Sequence, residues 1–347
     1  MRILHVIAGA PVGGAETFAQ DAILSLHTRG VQQAVLTRPW PGLLARYAAA
    51  GVPAHPMRFG VADRVMRRGR QIAAQARTMG ADLVHAWMSR ANSFIPAAMP
   101  CPVLGWFGDY YDLKYFRRTD LYVAVTPDIA AYLRRHATPP ERTFMINTFG
   151  TMPEAAKLDR ASLNTPADAT VLLVLARMHP VKGIDTMLRA LAELPAMVLW
   201  LAGDGPARAE YEALARTLGV ADRVRFLGWR HDRRALLEAC DICVLPSRYE
   251  PFGTVIVEAW AMRRPLVATL ADGARQYVTH GQTGLLCPID DPPALAAQLR
   301  ALASDPALRQ HLAAAGQAAY AADFTREIVT DRLIDCYRAC IALGARR

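Results

Sequence analysis

Two carboxylates, two cations and a set of glycines carry the chemistry this sequence offers. Glu250 and Glu258 stand with seven residues between them in Pro246-Ser247-Arg248-Tyr249-Glu250-Pro251-Phe252-Gly253-Thr254-Val255-Ile256-Val257-Glu258-Ala259. That segment follows a buried-strand pattern and opens a helix, so Glu250 falls in a strand-to-helix loop. Gly253 lets the backbone approach a ligand, and the free N–H groups from Phe252 through Thr254 to Val255 form an anion site at a helix N-terminus. Glu258 lies about one turn into that helix, where a carboxylate can hydrogen-bond a pair of vicinal hydroxyls. Two glutamates at a helix start also serve capping and solvation, and the segment alone leaves both readings open. A second segment, Ala176-Arg177-Met178-His179-Pro180-Val181-Lys182-Gly183, repeats the strand–loop–helix pattern. Its Arg177 and Lys182 bring two cations to the same sheet end, matched to a diphosphate whose leaving charge must be stabilised.

Smaller features agree. Gly203-Asp204-Gly205-Pro206, Gly228-Trp229-Arg230 and Gly273-Ala274-Arg275-Gln276-Tyr277 each follow a strand pattern and turn tightly. Near the start, Gly13-Gly14 after the first strand lets the backbone come close to a ligand. The run Ala8-Gly9-Ala10-Pro11-Val12-Gly13-Gly14 carries a proline and the wrong glycine spacing for a dinucleotide fingerprint, which disfavours hydride transfer.

The elements that must position these residues alternate between short apolar runs and helical periods, the pattern of parallel sheets covered by helices on both faces. In the first half the pattern predicts strands over 3–7, 33–36, 83–86, 103–104 and 121–125, with helices over 15–29 and 127–136. Around 147–170 the apolar rhythm fades, which predicts a domain boundary. A second alternation follows, with strands over 171–176, 197–202, 223–226, 242–245 and 265–268. Helices are predicted over 183–194, 208–218, 233–239 and 254–262, and from Pro292 onward. The expected fold class is α/β: two tandem Rossmann-like doubly wound domains, 1–150 and 151–325, facing a cleft, where ligands meet the strand carboxyl ends.

Composition narrows the class. At ~150 residues per domain, 347 residues suggest about two domains. A 52% hydrophobic share excludes disorder, and no apolar stretch reaches the ~18 residues needed to span a bilayer. The opening 1–7 is short for the apolar region of an export signal, so a cytoplasmic location is expected. Six cysteines in no disulfide or finger spacing fit a reducing compartment. Cys240 with Cys243, and Cys336 with Cys340, read as core thiols rather than as a metal or redox pair.

The spaced glutamates, Arg177 with Lys182-Gly183, the opening Gly13-Gly14-Ala15-Glu16 and Gly203-Asp204-Gly205-Pro206 together resemble the family 4 glycosyltransferases of the GT-B fold, over almost the whole chain. The resemblance implies retaining transfer of a sugar from a nucleotide-diphosphate donor, held mainly by the second domain, to an acceptor held mainly by the first. It implies no metal ion or other cofactor, and a C-terminal segment, 326–347, whose helix, over about 325–343, crosses back to brace the first domain. By the same similarity Arg177 and Lys182 hold the diphosphate, Glu258 the ribose, Glu250 with the Phe252-Gly253-Thr254 backbone the donor sugar and phosphate, and Gly228-Trp229 the base edge.

One departure stands out. After the strand near 103–106 the family often carries a His, whereas this chain has Phe107-Gly108-Asp109-Tyr110-Tyr111. Asp109 either takes over that contact to the donor sugar or caps a turn as an ordinary loop residue. Gln276 stands where the family commonly has Glu, which leaves the donor preference open.

The net charge is +9, and basic residues cluster in the first domain: Arg64, Arg67, Arg68 and Arg70 in one helix, and Lys114 with Tyr115, Phe116, Arg117 and Arg118 in another segment. Such patches draw a protein to an anionic membrane surface. Nucleic acid is the rival partner, disfavoured because no nucleic-acid module is present. A solvated basic face is the plain alternative. The stretch Tyr110 to Arg118 resembles that of bacterial enzymes building lipopolysaccharide or related surface polysaccharide, whose acceptors are lipid-linked glycans. His85 and Trp87 end a strand, either lining the acceptor side or packing in the core, and His5 reads as core. Two rivals use the same donor site: a sugar-nucleotide epimerase or hydrolase, and a non-catalytic nucleotide-sugar-binding protein.

Overall fold

The structure is a computed structural model and describes residues 1–11, 13–60, 62–63, 69–136, 139–150 and 152–344. They divide into two compact units, one formed by 1–149 with 326–347 and the other by 150–325. In the first unit, strands β1 (Arg2–Ile7), β2 (Gln32–Thr37), β3 (Ala54–Pro56), β4 (Leu83–Trp87), β5 (Val103–Phe107), β6 (Leu121–Ala124) and β7 (Thr143–Met145) form a sheet in the order β3-β2-β1-β4-β5-β6-β7. Every pairing is parallel. Parallel strands need crossovers, and helices α1 (Gly14–Thr28), α2 (Pro41–Ala49), α3 (Arg70–Met79), α4 (Met88–Asn92) and α5 (Pro127–His136) lie in those connections.

The second unit repeats the winding. Its strands β8 (Thr170–Leu175), β9 (Met197–Ala202), β10 (Val224–Gly228), β11 (Ile242–Leu245), β12 (Leu266–Thr269) and β13 (Leu285–Cys287) run in the order β10-β9-β8-β11-β12-β13. Among the described residues the helices here are α6 (Ile184–Ala192), α7 (Arg208–Thr217), α8 (Arg233–Ala239), α9 (Thr254–Ala261), α10 (Asp272–Tyr277), α11 (Pro292–Ser304) and α12 (Pro306–Asp323). The central strands are buried on both faces, which is why they read as continuous apolar runs rather than alternations. Two helix starts are legible as caps: Asp291 accepts from the N–H of Ala294 and Asp305 from that of Leu308, each ahead of a proline at the first helical position.

The sequence pattern missed β3, β7 and β13. All three are three-residue strands at sheet edges, where little apolar surface is buried and one strand ends in proline. The strand expected over 223–226 begins one residue later and runs to Gly228, because Arg223 lies in a 3-10 turn and spends its guanidinium on the carbonyls of Leu191, Leu194 and Met197.

The last helix, α13 (Arg326–Gly344), belongs to the first unit. It is fixed there by buried polar contacts: Ser25 Oγ to Thr330 Oγ1 at 2.7 Å, and His85 Nδ1 to the Tyr337 hydroxyl at 2.7 Å. An exposed pair, Arg29 with Asp331 at 2.9 Å, flanks them. All six cysteines are free thiols; burial pushes Cys240 up to about 12 and holds Cys243 well above the usual thiol range, so both sit as neutral core groups.

Candidate active site

In the second unit the loops that leave the carboxyl ends of β8, β9, β10, β11 and β12 are stitched to one another. The N–H of Ala176 donates to Ala202, that of Met178 to Asp204, and that of Ala207 back to Met178. Gly203 donates to the carbonyl of Gly228 at 2.8 Å, and its backbone φ of 149° would place any Cβ 1.9 Å from the carbonyl oxygen of Ala176. Only glycine therefore fits there, which gives the Gly203-Asp204-Gly205-Pro206 turn a packing reason. The loop after β11 lies against the one after β8: Arg248 and Tyr249 both donate to the carbonyl of Val181. Gly183, at φ 62°, passes so near Pro246 that a Cβ would sit 2.0 Å from its carbonyl oxygen.

This stitching brings Lys182 and Glu250 together across 68 positions of chain. Lys182 Nζ donates to Glu250 Oε2 at 2.7 Å, and Ser247 Oγ lies 3.3 Å from the same oxygen. The two side chains are 22% and 17% exposed, open enough to meet a ligand and dry enough for the pair to be ordered. Glu250 is held through its backbone as well, since its carbonyl accepts from the N–H of Gly273 at 2.7 Å. The buried Ser247 is fixed in turn by Thr269, whose hydroxyl donates to its carbonyl at 2.5 Å.

Gly253 caps α9 in the left-handed region, and Thr254 and Val255 open that helix with their N–H groups at its mouth. The Phe252 ring turns inward onto Tyr277 and Phe324 at centroid distances of 5.2 and 6.2 Å, so this residue presents backbone rather than side chain. Glu258, in α9, is buried and ion-paired through Oε1 with Arg233 at the start of α8. Its Oε2 is buried and has no hydrogen-bond partner among the described residues. An unpaired carboxylate oxygen in such a place is costly, and it is an acceptor held ready for donors such as hydroxyls.

Arg177 is exposed and makes no hydrogen bond or ion pair with the described residues. Trp229, beside Gly228 at the end of β10, is 52% exposed, an uncommon position for a large aromatic ring unless it stacks on something. Arg248 escaped sequence reasoning although it lies inside the glutamate segment. It forms a bidentate pair with Asp185, bonds Asp290, and donates to the carbonyl of Pro180 at 2.5 Å. The bonds to Asp185 raise the Arg248 guanidinium above its already high value, while Asp185, opposed by partial burial, is still pulled below the usual carboxylate range. Its acidic partners are 63 and 42 positions away, so no local signal marks it. Arg233 was missed for the same reason.

The remaining candidates lie in the first unit. Gly13 caps α1 beside Gly14, and Glu16 folds back under the loop with Oε1 3.3 Å from the N–H of Ala10. Asp109 follows β5 and accepts from the N–H of Tyr110 at 2.7 Å, a turn contact of the kind its plainer reading expects. His85 and Trp87 do not line an acceptor surface. Both are fully buried with His5: the Trp87 indole N–H donates to His5 Nδ1 at 3.2 Å, and His5 Nε2 lies 3.0 Å from Gln33 Oε1. Arg64, Arg67 and Arg68 fall outside the described residues; Arg70 opens α3, and Lys114 lies in the 3-10 turn Leu113–Phe116 that precedes Arg117 and Arg118.

Known proteins resemble this chain in sequence and fold. Residues 12–149 match Glycosyltransferase Family 4, and residues 156–319 match Glycosyl transferases group 1. The chain is 36% identical over 333 residues to the lipopolysaccharide core biosynthesis glycosyltransferase LpsE of Rhizobium meliloti, covering 95% of this chain and 97% of that protein. It is 34% identical to LpsD of the same organism over 357 residues, with 99% of each covered. Among solved structures, Anabaena Alr3699/HepE in complex with UDP and glucose superposes with a TM-score of 0.84 at 23% identity, covering 98% of this chain and 100% of the other. Two like-wound parallel sheets, matches to both halves and full-length relatives above 30% identity lead to one conclusion: the chain belongs to the family 4 glycosyltransferases of the GT-B fold.

Proposed function

We propose that this glycosyltransferase moves a sugar from a nucleoside-diphosphate donor, with retention of configuration, onto a glycan acceptor in lipopolysaccharide assembly. The observation that carries the reading is the Lys182–Glu250 pair, preorganised at the strand ends beside the mouth of α9. An ammonium has three donors; one is spent on Glu250, and two remain for phosphate oxygens. As the bond between the sugar C1 and the diphosphate oxygen breaks, its electron pair passes to that oxygen. Lys182, Arg177 and the N–H groups of Thr254 and Val255 meet the charge, with no metal ion in this scheme. The acceptor hydroxyl bonds C1 on the same face, and its proton goes to the departing phosphate. Glu258 Oε2 accepts from a pair of vicinal hydroxyls on the donor ribose while Arg233 holds the other oxygen. Trp229 stacks on the base, and Glu250 orients the donor sugar.

The acceptor side is assigned to the first unit, where Gly13 and Gly14 stand at the start of α1 and Asp109 in the loop that follows β5. Among the described residues no helix is long and apolar enough to cross a membrane. The basic residues of the first unit support peripheral attachment at the cytoplasmic face of an anionic membrane, where a lipid-linked acceptor would be met. The relatives named for lipopolysaccharide core biosynthesis support this choice of acceptor class.

The test is a panel of nucleoside-diphosphate sugars incubated with purified protein, with and without a truncated lipopolysaccharide acceptor, following released nucleotide by ultraviolet absorbance. One donor should be consumed, and only when acceptor is present. Consumption at the same rate without acceptor would identify a hydrolase or epimerase instead.

A further inference from the structure

A cavity of about 1070 Å³ opens in the first unit between α3, the segment that follows α4, and the turn Leu113–Phe116. Five cations line it: Arg70 and Arg77 from α3, and Lys114, Arg117 and Arg118 from the turn and its exit. Arg70 and Arg77 are two helical turns apart and so share a face. No Asp or Glu stands among the described lining residues. Lys114 has a partner of its own in Asp112 at 2.6 Å, while Arg70, Arg77 and Arg117 are exposed and make no hydrogen bond or ion pair with the described residues.

The walls are held by contacts independent of any ligand. Arg118 donates to the carbonyl of Ile95 at 3.0 Å, tying the turn to the segment after α4. Asn92 donates to the carbonyls of Ala86 and Met88 at 2.9 and 2.8 Å and accepts from the Thr119 hydroxyl at 2.9 Å. Gly69 packs so close to that segment that a Cβ would lie 2.0 Å from the Phe94 carbonyl oxygen. Phe94 and Ile95 are buried and give the cavity an apolar side.

Like charges gathered around a concavity with low-dielectric walls repel one another and focus a positive potential into it. Guanidinium groups match phosphate oxygens in bidentate geometry. The volume of about 1070 Å³ lies just above the ~300–1,000 Å³ range of small-molecule sites, and a single inorganic anion would not fill it. We propose that this cavity binds a compact, polyhydroxylated molecule bearing several phosphate esters, held by Arg70, Arg77 and Arg117. The ligand is either a free sugar phosphate or a phosphorylated headgroup on a lipid. The proposal shares its basic residues with the membrane-attachment reading above and is independent of the donor site, since binding is measured with no nucleotide present.

Calorimetric titration of the full chain with inositol hexakisphosphate, with uncharged inositol as the control, tests it. Wild-type protein should bind the phosphorylated probe alone, with affinity falling as salt rises. The double variant Arg70→Gln with Arg117→Gln should weaken binding by about ten-fold or more, since it removes two charge-assisted contacts. Ala98→Glu, at an exposed lining position, should weaken it in the same direction without deleting any native cation. Unfolding temperature and nucleotide affinity should stay at wild-type values in both variants, which separates failure here from failure of the donor-site reading. Sedimentation with phosphatidylcholine vesicles containing phosphatidylinositol bisphosphate, against phosphatidylcholine alone, distinguishes the sources. A loss on both probe and vesicle points to a headgroup, and a loss on the probe alone to a free sugar phosphate. Absent binding by wild type, undiminished probe affinity in the variants, or a loss confined to vesicles would overturn the proposal.

Discussion

The two units wind their parallel strands in the same order outward from the first strand of each, yet they put their polar side chains in opposite places. In the second unit the sheet interior is apolar, and charged groups gather in the loops at the strand ends, where Lys182 meets Glu250 and Arg248 meets Asp185 and Asp290. In the first unit polar rings enter the sheet itself: His5 and His85 are side by side on paired strands, with Trp87, Gln33 and Tyr337 around them. Three cations that make no hydrogen bond or ion pair with the described residues, Arg70, Arg77 and Arg117, line the basic cavity instead. The same topology therefore carries charged groups in the strand-end loops in one case and a buried polar network in the other, so function must be argued from side chains rather than from winding.

The largest separation between these designs should come from Lys182→Ala. Removing a preorganised donor to a developing anion costs about 10²–10³ in turnover, roughly 3–4 kcal/mol of transition-state stabilisation. The folding cost should be far smaller, because the pair is partly solvated and Glu250 stays anchored by its backbone contact to Gly273. Parallel measurements of kcat and the denaturation midpoint check this. A stability loss that accounts for the lost activity, or unchanged turnover, would remove Lys182 from the chemistry.

Much of this difference was legible before any coordinates. The central strands and most helices follow from apolar runs broken by Gly and Pro, and the loop placement of Glu250 and Lys182 follows from where those runs end. The three-residue edge strands β3, β7 and β13 were not legible because so few residues bury too little to imprint a pattern. The partners of Arg248, Arg233 and His85 were invisible because each contact closes a loop of dozens to hundreds of residues, which no local spacing encodes. A strand end leaves His85 and Trp87 open to an acceptor role; only packing shows that both rings are sealed.

Acidification should break the symmetry of stability between the units. Burial lowers the His5 imidazole to about 3 and holds His85 well below its ordinary value, whereas unfolded histidines take up protons near 6.5. Below about pH 6.5 only the unfolded state gains those protons, so the first unit loses about 1.4 kcal/mol per pH unit for each of the two rings. The loss continues toward the pH at which the folded rings also titrate. No histidine is buried among the described residues of the second unit. Hydrogen exchange at pH 6.5 and pH 5 should show protection falling first in β1, β4 and α13. Equal loss of protection in both sheets would refute the assignment.

The finest contrast is between two tyrosines. Tyr337 is buried with its hydroxyl 2.7 Å from His85 Nδ1, while the other ring nitrogen, Nε2, has no hydrogen-bond partner among the described residues. Tyr337→Phe therefore leaves His85 with no partner at either nitrogen and should destabilise the first unit by about 1–2 kcal/mol. Tyr211 in the second unit is equally buried, but its hydroxyl has no partner among the described residues. Tyr211→Phe removes an unsatisfied group and keeps the ring, so stability should hold or rise by up to about 1 kcal/mol. Chemical denaturation of both variants against wild type reads the sign directly. If Tyr337→Phe left stability unchanged or raised it, the Tyr337 hydroxyl would be no more than a space-filling group, and the buried network would not be what ties α13 to the first sheet.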